Sequence, residues 1–102
     1  MMSEPQEQVT EVDIARTIFE GKWRFAILIR LREGPQRLSN LKLLIPGCSK
    51  KMLIDTLHAL MNLGWIIRID LSTNVKRVEY VLSERWSKSI RAALERISSQ
   101  SS

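Results

Sequence analysis

Apolar residues recur at three- and four-residue spacing over most of this chain, then at two-residue spacing over one stretch, then at helical spacing again. The longest helical stretch starts after Pro46-Gly47, a pair that breaks whatever precedes it, and Ser49 stands where an N-cap belongs. Leu53, Leu57 and Leu60 fall on one face of it, and Gly64 occupies the position where a left-handed C-cap is usual. Met52, Thr56, Ala59 and Leu63 flank that stripe on one side, Ile54 and Met61 on the other. Lys51, Asp55, His58 and Asn62 occupy the opposite, polar face, so the pattern predicts a helix over about 49–63.

Upstream, Val12, Ala15, Ile18 and Phe19 predict a short amphipathic helix with Glu11 and Asp13 in its first turn, stopping at Gly21. Trp23, Ile27, Leu28 and Leu31 form the spine of a second helix from about Lys22 to Glu33, ended by Gly34-Pro35; Arg24, Arg30 and Arg32 read as solvated decoration. A third, short helix runs to Leu44, with Leu38, Leu41, Leu44 and Ile45 facing inward. After Gly64, Trp65–Asp70 is aromatic and β-branched and reads as a strand. Leu71–Asn74 is a turn, and Val75–Leu82 returns as a second strand. Ser83 is a good N-cap for a last helix whose stripe is Trp86, Ile90, Ala93, Leu94 and Ile97. The polar start, residues 1–10, and the serine-rich end, residues 98–102, read as unstructured, leaving one ordered domain over 11–97. The fold class is α+β, mostly α: short helix, tight turn and longer helix make a helix-turn-helix, and the hairpin that follows makes a two-stranded wing.

Charge sharpens this picture. The chain of 102 residues carries a formal net charge of +5, which favours polyanionic partners. Lys50 and Lys51 sit in the first turn of the long helix, where the helix dipole prefers acids. They suit an external anion such as nucleic acid, and equally a solvated face. Arg68, Lys76 and Arg77 on the hairpin suit a wing on DNA, or an edge guarded against aggregation. No apolar run approaches the ~20 residues that span a bilayer, and the acidic start is no signal peptide, so a cytoplasmic protein without membrane contact is expected. One cysteine, Cys48, and one histidine, His58, make neither an internal disulfide nor a zinc cluster nor a catalytic constellation. An enzyme, a metal and a cofactor are therefore not expected.

The residues resemble the HxlR family of winged helix-turn-helix transcription regulators. The resemblance rests on Gly21-Lys22-Trp23 with Ile27-Leu28 and Leu31, Glu33-Gly34-Pro35 with Arg37-Leu38 and Leu41, and Ile45-Pro46-Gly47 with Ser49-Lys50-Lys51 and Leu53. It continues through Leu57, Leu60 and Gly64 to Arg77-Val78-Glu79-Tyr80 and Leu82-Ser83, covering about residues 10–97. It implies a homodimeric, sequence-specific DNA-binding regulator on an inverted-repeat operator, with an effector that the sequence leaves unknown. Dimer contacts would come from Val12, Ala15, Ile18 and Phe19 of the first helix and Trp86, Ile90, Ala93, Leu94 and Ile97 of the last. The recognition helix would present Ser49, Lys50, Lys51, Ile54, Asp55 and His58 to the major groove. Arg68, Lys76 and Arg77 of the wing would add backbone or minor-groove contacts, and Arg37 a phosphate clamp.

The chain also departs from the family pattern. Family members often carry a cysteine near the start of the first helix, where this chain has the neighbourhood of Thr10. Cys48 instead takes an aliphatic position in the turn, as a small buried hydrophobe or as a redox sensor. Val75-Lys76 replace prolines, which leaves the wing less rigid and more basic. Trp86 replaces a glycine and must be packed, for which the dimer partner is one site. A winged-helix module that pairs with proteins and lacks independent DNA binding is the alternative reading.

Overall fold

The computed structural model describes residues 10–100. They form α1 (Glu11–Phe19), α2 (Arg24–Arg32), α3 (Leu38–Leu44), α4 (Lys50–Asn62), β1 (Ile66–Asp70), β2 (Val78–Leu82) and α5 (Glu84–Gln100). The core gathers Ile14 and Ile18 from α1, Ile27, Leu28 and Leu31 from α2, and Leu41 from α3. Leu53, Leu57 and Leu60 of α4 and Ile90, Ala93 and Leu94 of α5 complete it. α1 lies mainly against α5, and both touch α2, so the two terminal helices pack together on α2.

α1 starts at the expected Glu11, whereas the C-terminal end of the ordered region differs from expectation. The expected unstructured start lies outside the described residues except for Thr10, which caps α1. Its hydroxyl accepts from the Asp13 N–H at 3.1 Å, and the Asp13 carboxylate accepts from the Thr10 N–H at 3.2 Å. Aspartate thus closes a capping box usually written with glutamate. The serine-rich end is helical as far as Gln100. Ile97 extends the apolar stripe onto the core, and the Ser99 hydroxyl donates back to the Arg96 carbonyl at 3.1 Å.

Three apolar residues leave the faces expected for them. On α1 the buried pair is Ile14 and Ile18, four apart, which turns Val12 and Phe19 outward to 57% and 66% exposure. On α3 the inward set is Leu38, Leu41 and Ile45, and Leu44 falls off that line, 38% exposed.

β1 and β2 pair antiparallel, with Ile66 opposite Leu82, Arg68 opposite Tyr80 and Asp70 opposite Val78. β2 begins three residues later than expected, so Lys76 and Arg77 belong to the wing loop. Gln36, between α2 and α3, adds a one-residue bridge to β2: its N–H donates to the Tyr80 carbonyl and its carbonyl accepts from the Tyr80 N–H, at 3.0 and 2.8 Å. This bridge ties the start of α3 to the wing.

The α4–β1 junction is a Schellman ending. Gly64 has φ +79°, the Gly64 N–H donates to Met61 O, and the Trp65 N–H donates to Leu60 O. Trp65 is buried there and meets Trp86 of α5 in a tilted pair, ring centroids 6.3 Å apart. Trp86 therefore finds its packing within its own chain. The Ser83 N–H donates to Trp65 O at 2.8 Å, while the Ser83 hydroxyl is buried without a hydrogen-bond partner. Ser83 consequently does not cap α5; its backbone fastens the helix to the wing root instead.

Candidate nucleic-acid interface

The start of α4 is made by the turn before it. Gly47 takes φ +90° and lets the chain reverse, and Cys48 drops into the core as a plug. Ser49 accepts the Met52 N–H on its hydroxyl at 3.1 Å, the expected N-cap. Because Leu53, Leu57 and Leu60 face the core, Lys50, Lys51, Asp55 and His58 stand exposed, with Ile54 half-buried beside them. The first turn contains no acid to offset its two lysines. Lys51 Nζ donates to Asp55 Oδ2 at 2.8 Å, and this bond, reinforced by the carboxylate charge, pushes the Lys51 pKa up. Both partners are well exposed, so the pair orients Lys51 far more than it stabilises the fold.

The wing is ordered by side chain to backbone bonds. Asp70 accepts the Ser72 N–H at 2.9 Å, Ser72 Oγ accepts the Arg77 N–H at 2.8 Å, and the Leu71 N–H donates to Arg77 O at 2.7 Å. These bonds bridge the loop at the place where the family pattern has prolines. Hydrogen bonds from Ser72 hold the Asp70 carboxyl below its usual pKa, and the nearby Arg68 and Lys76 charges add to the effect. Arg77 places Nε and Nη2 on Glu79 Oε2 at 3.2 and 3.0 Å, a pairing the sequence reading did not anticipate. Arg68 is exposed on β1.

Between wing and helices runs an open groove. Arg37, Leu38 and Ser39 of the α3 start face Lys76 and Val78 across a notch of about 380 Å³. A second notch of about 260 Å³ adjoins it through Leu38 and Ser39 and reaches Lys42 and Lys50. The structure thus brings Arg37 and Lys76 to one notch and places Lys50 at the neighbouring one, while Lys51, Asp55 and His58 line the exposed face of α4. Lys42 and Ser39 were missed. Their three-residue spacing, set against the inward Leu38 and Leu41, was the available signal.

The remaining candidates divide sharply. Burial raises the Cys48 pKa, with the Lys42 charge opposing, so the thiol is protonated and shielded, a poor nucleophile. Of the expected dimer residues, Ile18, Ile90, Ala93 and Leu94 are already fully buried in the chain's own core. Trp86 and Ile97 are half-buried, and Val12 and Phe19, flanking half-buried Ala15, stand exposed on α1.

Residues 18–101 match the HxlR-like helix-turn-helix family over most of the chain. The chain belongs to that family. The uncharacterized HTH-type transcriptional regulators YkvN and YtcD of Bacillus subtilis (strain 168) are 36% and 37% identical to this HxlR-like chain over 72 and 84 residues. The matches cover 71% and 82% of the chain but 61% and 66% of those relatives, so it spans less than two thirds of their length. A crystal structure of YtcD superposes with a TM-score of 0.76 at 34% identity, over 89% of this chain and 90% of that one. A MarR-family regulator from Enterococcus faecalis V583 superposes with a TM-score of 0.78 over 99% of this chain and 89% of its own; at 22% identity it establishes the winged-helix fold.

Proposed function

We propose that this HxlR-like protein is a homodimeric, sequence-specific DNA-binding transcriptional regulator without enzymatic activity, acting in the cytoplasm on an inverted-repeat operator. The observation that carries the reading is the exposed, basic start of α4 standing beside two adjoining notches, one lined by Arg37 and Lys76 and the other by Lys42 and Lys50. The geometry supports α4 entering the major groove with Ser49, Lys50, Lys51, Ile54, Asp55 and His58. Lys51 suits a guanine edge, with Asp55 orienting it or accepting from cytosine. Arg68, Lys76 and Arg77 suit the backbone or minor groove beside it. Arg77 must leave or share Glu79 to do so, which makes Lys76 the stronger wing contact. The names of YkvN and YtcD, transcriptional regulators of the HTH type, point the same way.

The alternative, a protein-pairing module without DNA binding, drew on an unplaced Trp86, and Trp86 is packed against Trp65. A redox role for Cys48 would require its turn to open first. The test is selection of an operator from a random duplex pool, followed by titration with variants. Lys51→Ala is expected to weaken the selected operator by about 1–3 kcal/mol and to relax its sequence preference. Unchanged affinity and preference would refute the placement of α4.

A further inference from the structure

Arg24 opens α2, and no acid stands in that first turn to offset it. A cation there faces the positive end of its own helix dipole. The side chain turns to the neighbouring helix instead. Its Nη1 donates to the Thr17 carbonyl in the last turn of α1 at 2.8 Å, with a Glu20 carboxylate oxygen 4.0 Å from the same nitrogen. The last carbonyls of a helix run out of N–H partners within the helix, and the dipole there favours a cation. The Arg24 side chain is 17% exposed, although the sequence pattern reads it as solvated decoration. Gly21 makes the room for it. A Cβ at Gly21 would stand 2.7 Å from Arg24 Nε and 3.0 Å from its Cγ and Cδ. Gly21 is not one of the glycines with positive φ, so what it supplies is space. At the far end of α2, Arg91 of α5 donates from Nη1 to the Arg32 carbonyl at 2.9 Å. Each end of α2 is thus tied to a terminal helix by an arginine.

We infer that Arg24 is a positioning residue: it locks the elbow between α1 and α2 and thereby sets the half-site spacing that the dimer reads, with Gly21 holding the space it needs. The inference rests on the proposed homodimer and deepens it. α1 carries the exposed Val12 and Phe19, and Phe19 lies two residues beyond Thr17. α2 packs on α3 and β2, the parts that carry the reading head. Burial of Ile14 and Ile18 holds α1 on the core, but apolar burial is non-directional. A hydrogen bond is directional, so the Arg24 bond fixes where the C-terminal end of α1 lies. With α1 held by a partner, a pivot at the elbow moves the two α4 helices relative to each other. One base-pair step is about 3.4 Å, so a small pivot changes which spacing fits. Arg24 lies neither on α4 nor in the notches beside it, so its loss leaves each half-site contact in place.

The test starts from an operator that the wild type selects from a random duplex pool. Duplexes are made with both half-sites at the selected spacing, with one or two base pairs added or removed between them, and with a single half-site. Wild type, Arg24→Ala, Arg24→Lys, Gly21→Ala and Lys22→Ala are titrated against each. Lys22 is the charge control: it is exposed in the same elbow, and its ammonium lies over the Trp23 ring. Arg24→Ala is expected to cut the preference for the selected spacing at least fivefold, with single-half-site affinity within twofold of wild type. Gly21→Ala is expected to do the same, because the new Cβ evicts a flexible side chain and leaves the core untouched. In an Arg24→Ala background Gly21→Ala should then add nothing. Arg24→Lys, which offers one donor to the same carbonyl, is expected to recover part of the preference, and Lys22→Ala to keep all of it. A wild-type spacing preference in Arg24→Ala overturns the inference. So does a loss on the single half-site as large as on the full operator, which would make Arg24 a support of the reading head alone. If Arg24→Ala fails to fold by thermal unfolding, Gly21→Ala decides. A wild type that is monomeric by sedimentation and indifferent to spacing overturns the homodimeric reading as well.

Discussion

The Ser72 hydroxyl accepts the Arg77 N–H across the wing loop, and the Ser72 amide donates to Asp70 one turn back. Asp70 binds better as the carboxylate, and its folded pKa is accordingly depressed from the usual 3.8. A carboxylate held low in the folded loop contributes order at and above its unfolded pKa, and that order is lost as pH falls through the folded value. The wing amides of Ser72 and Arg77 are therefore expected to lose hydrogen-exchange protection below about pH 4, while the α4 amides keep theirs. Asp70→Asn is expected to abolish that pH dependence, and wing protection that is flat with pH in the wild type would contradict it. At the other end of the interface, Ser49→Ala removes the α4 cap and is expected to cost about 1 kcal/mol, lowering the melting temperature by about 5 °C. Of these two residues Ser49 was readable beforehand, because a cap is local. Ser72 was not, because its partners are fixed only once β1 and β2 have found their register.

Elements followed from the sequence where periodicity and punctuation agree. α4 lies within a residue of its expected bounds because Ser49 and Gly64 mark both ends and three leucines mark its buried face. The short α3 came out similarly, and α2 starts two residues later than expected, at Arg24, though Gly34-Pro35 still marks its end. The wing strands were found, but their lengths were not. Val75-Lys76-Arg77 alternates like a strand, yet the bonds of Asp70 and Ser72 take it into the loop. α5 outran its expected end, running to Gln100 where the serine-rich composition suggested an unstructured tail. At the wing root the decisive contact, Trp65 on Trp86, joins residues 21 apart and was out of reach of any local pattern. That contact has a measurable weight. Trp86→Ala is expected to lower unfolding stability in urea by about 2 kcal/mol at unchanged m-value, and to alter Trp65 fluorescence. Gly64→Ala acts on the same joint through its backbone. A Cβ there would stand 3.8 Å from the Trp86 indole nitrogen, an ordinary contact. The cost is then the left-handed conformation itself, about 1–2 kcal/mol.

At the scale of the molecule, the terminal helices are where the proposed dimer would form. α1 buries Ile14 and Ile18 against the core and leaves Val12 and Phe19 seven residues apart on its outer face, 57% and 66% exposed. A phenylalanine so exposed is worth about 2 kcal/mol when removed from water, which one chain cannot recover alone. The matching face of α5 is largely spent, since Ile90, Ala93 and Leu94 have no surface left to offer. The dimer contact is thus proposed to centre on Val12, Ala15 and Phe19 of α1, with the half-buried Trp86 and Ile97 at its margin. Phe19→Glu places a charge at that centre without disturbing the core, because the side chain points outward. The expected result is a monomer by sedimentation velocity with an unchanged circular dichroism spectrum. Affinity for a two-half-site operator should then fall on the order of 100-fold, the loss of linked binding, while affinity for a single half-site stays near its wild-type value. The half-site arm separates the roles, because a defect in DNA contact would weaken both duplexes alike. A dimer that persists in Phe19→Glu would move the interface off α1.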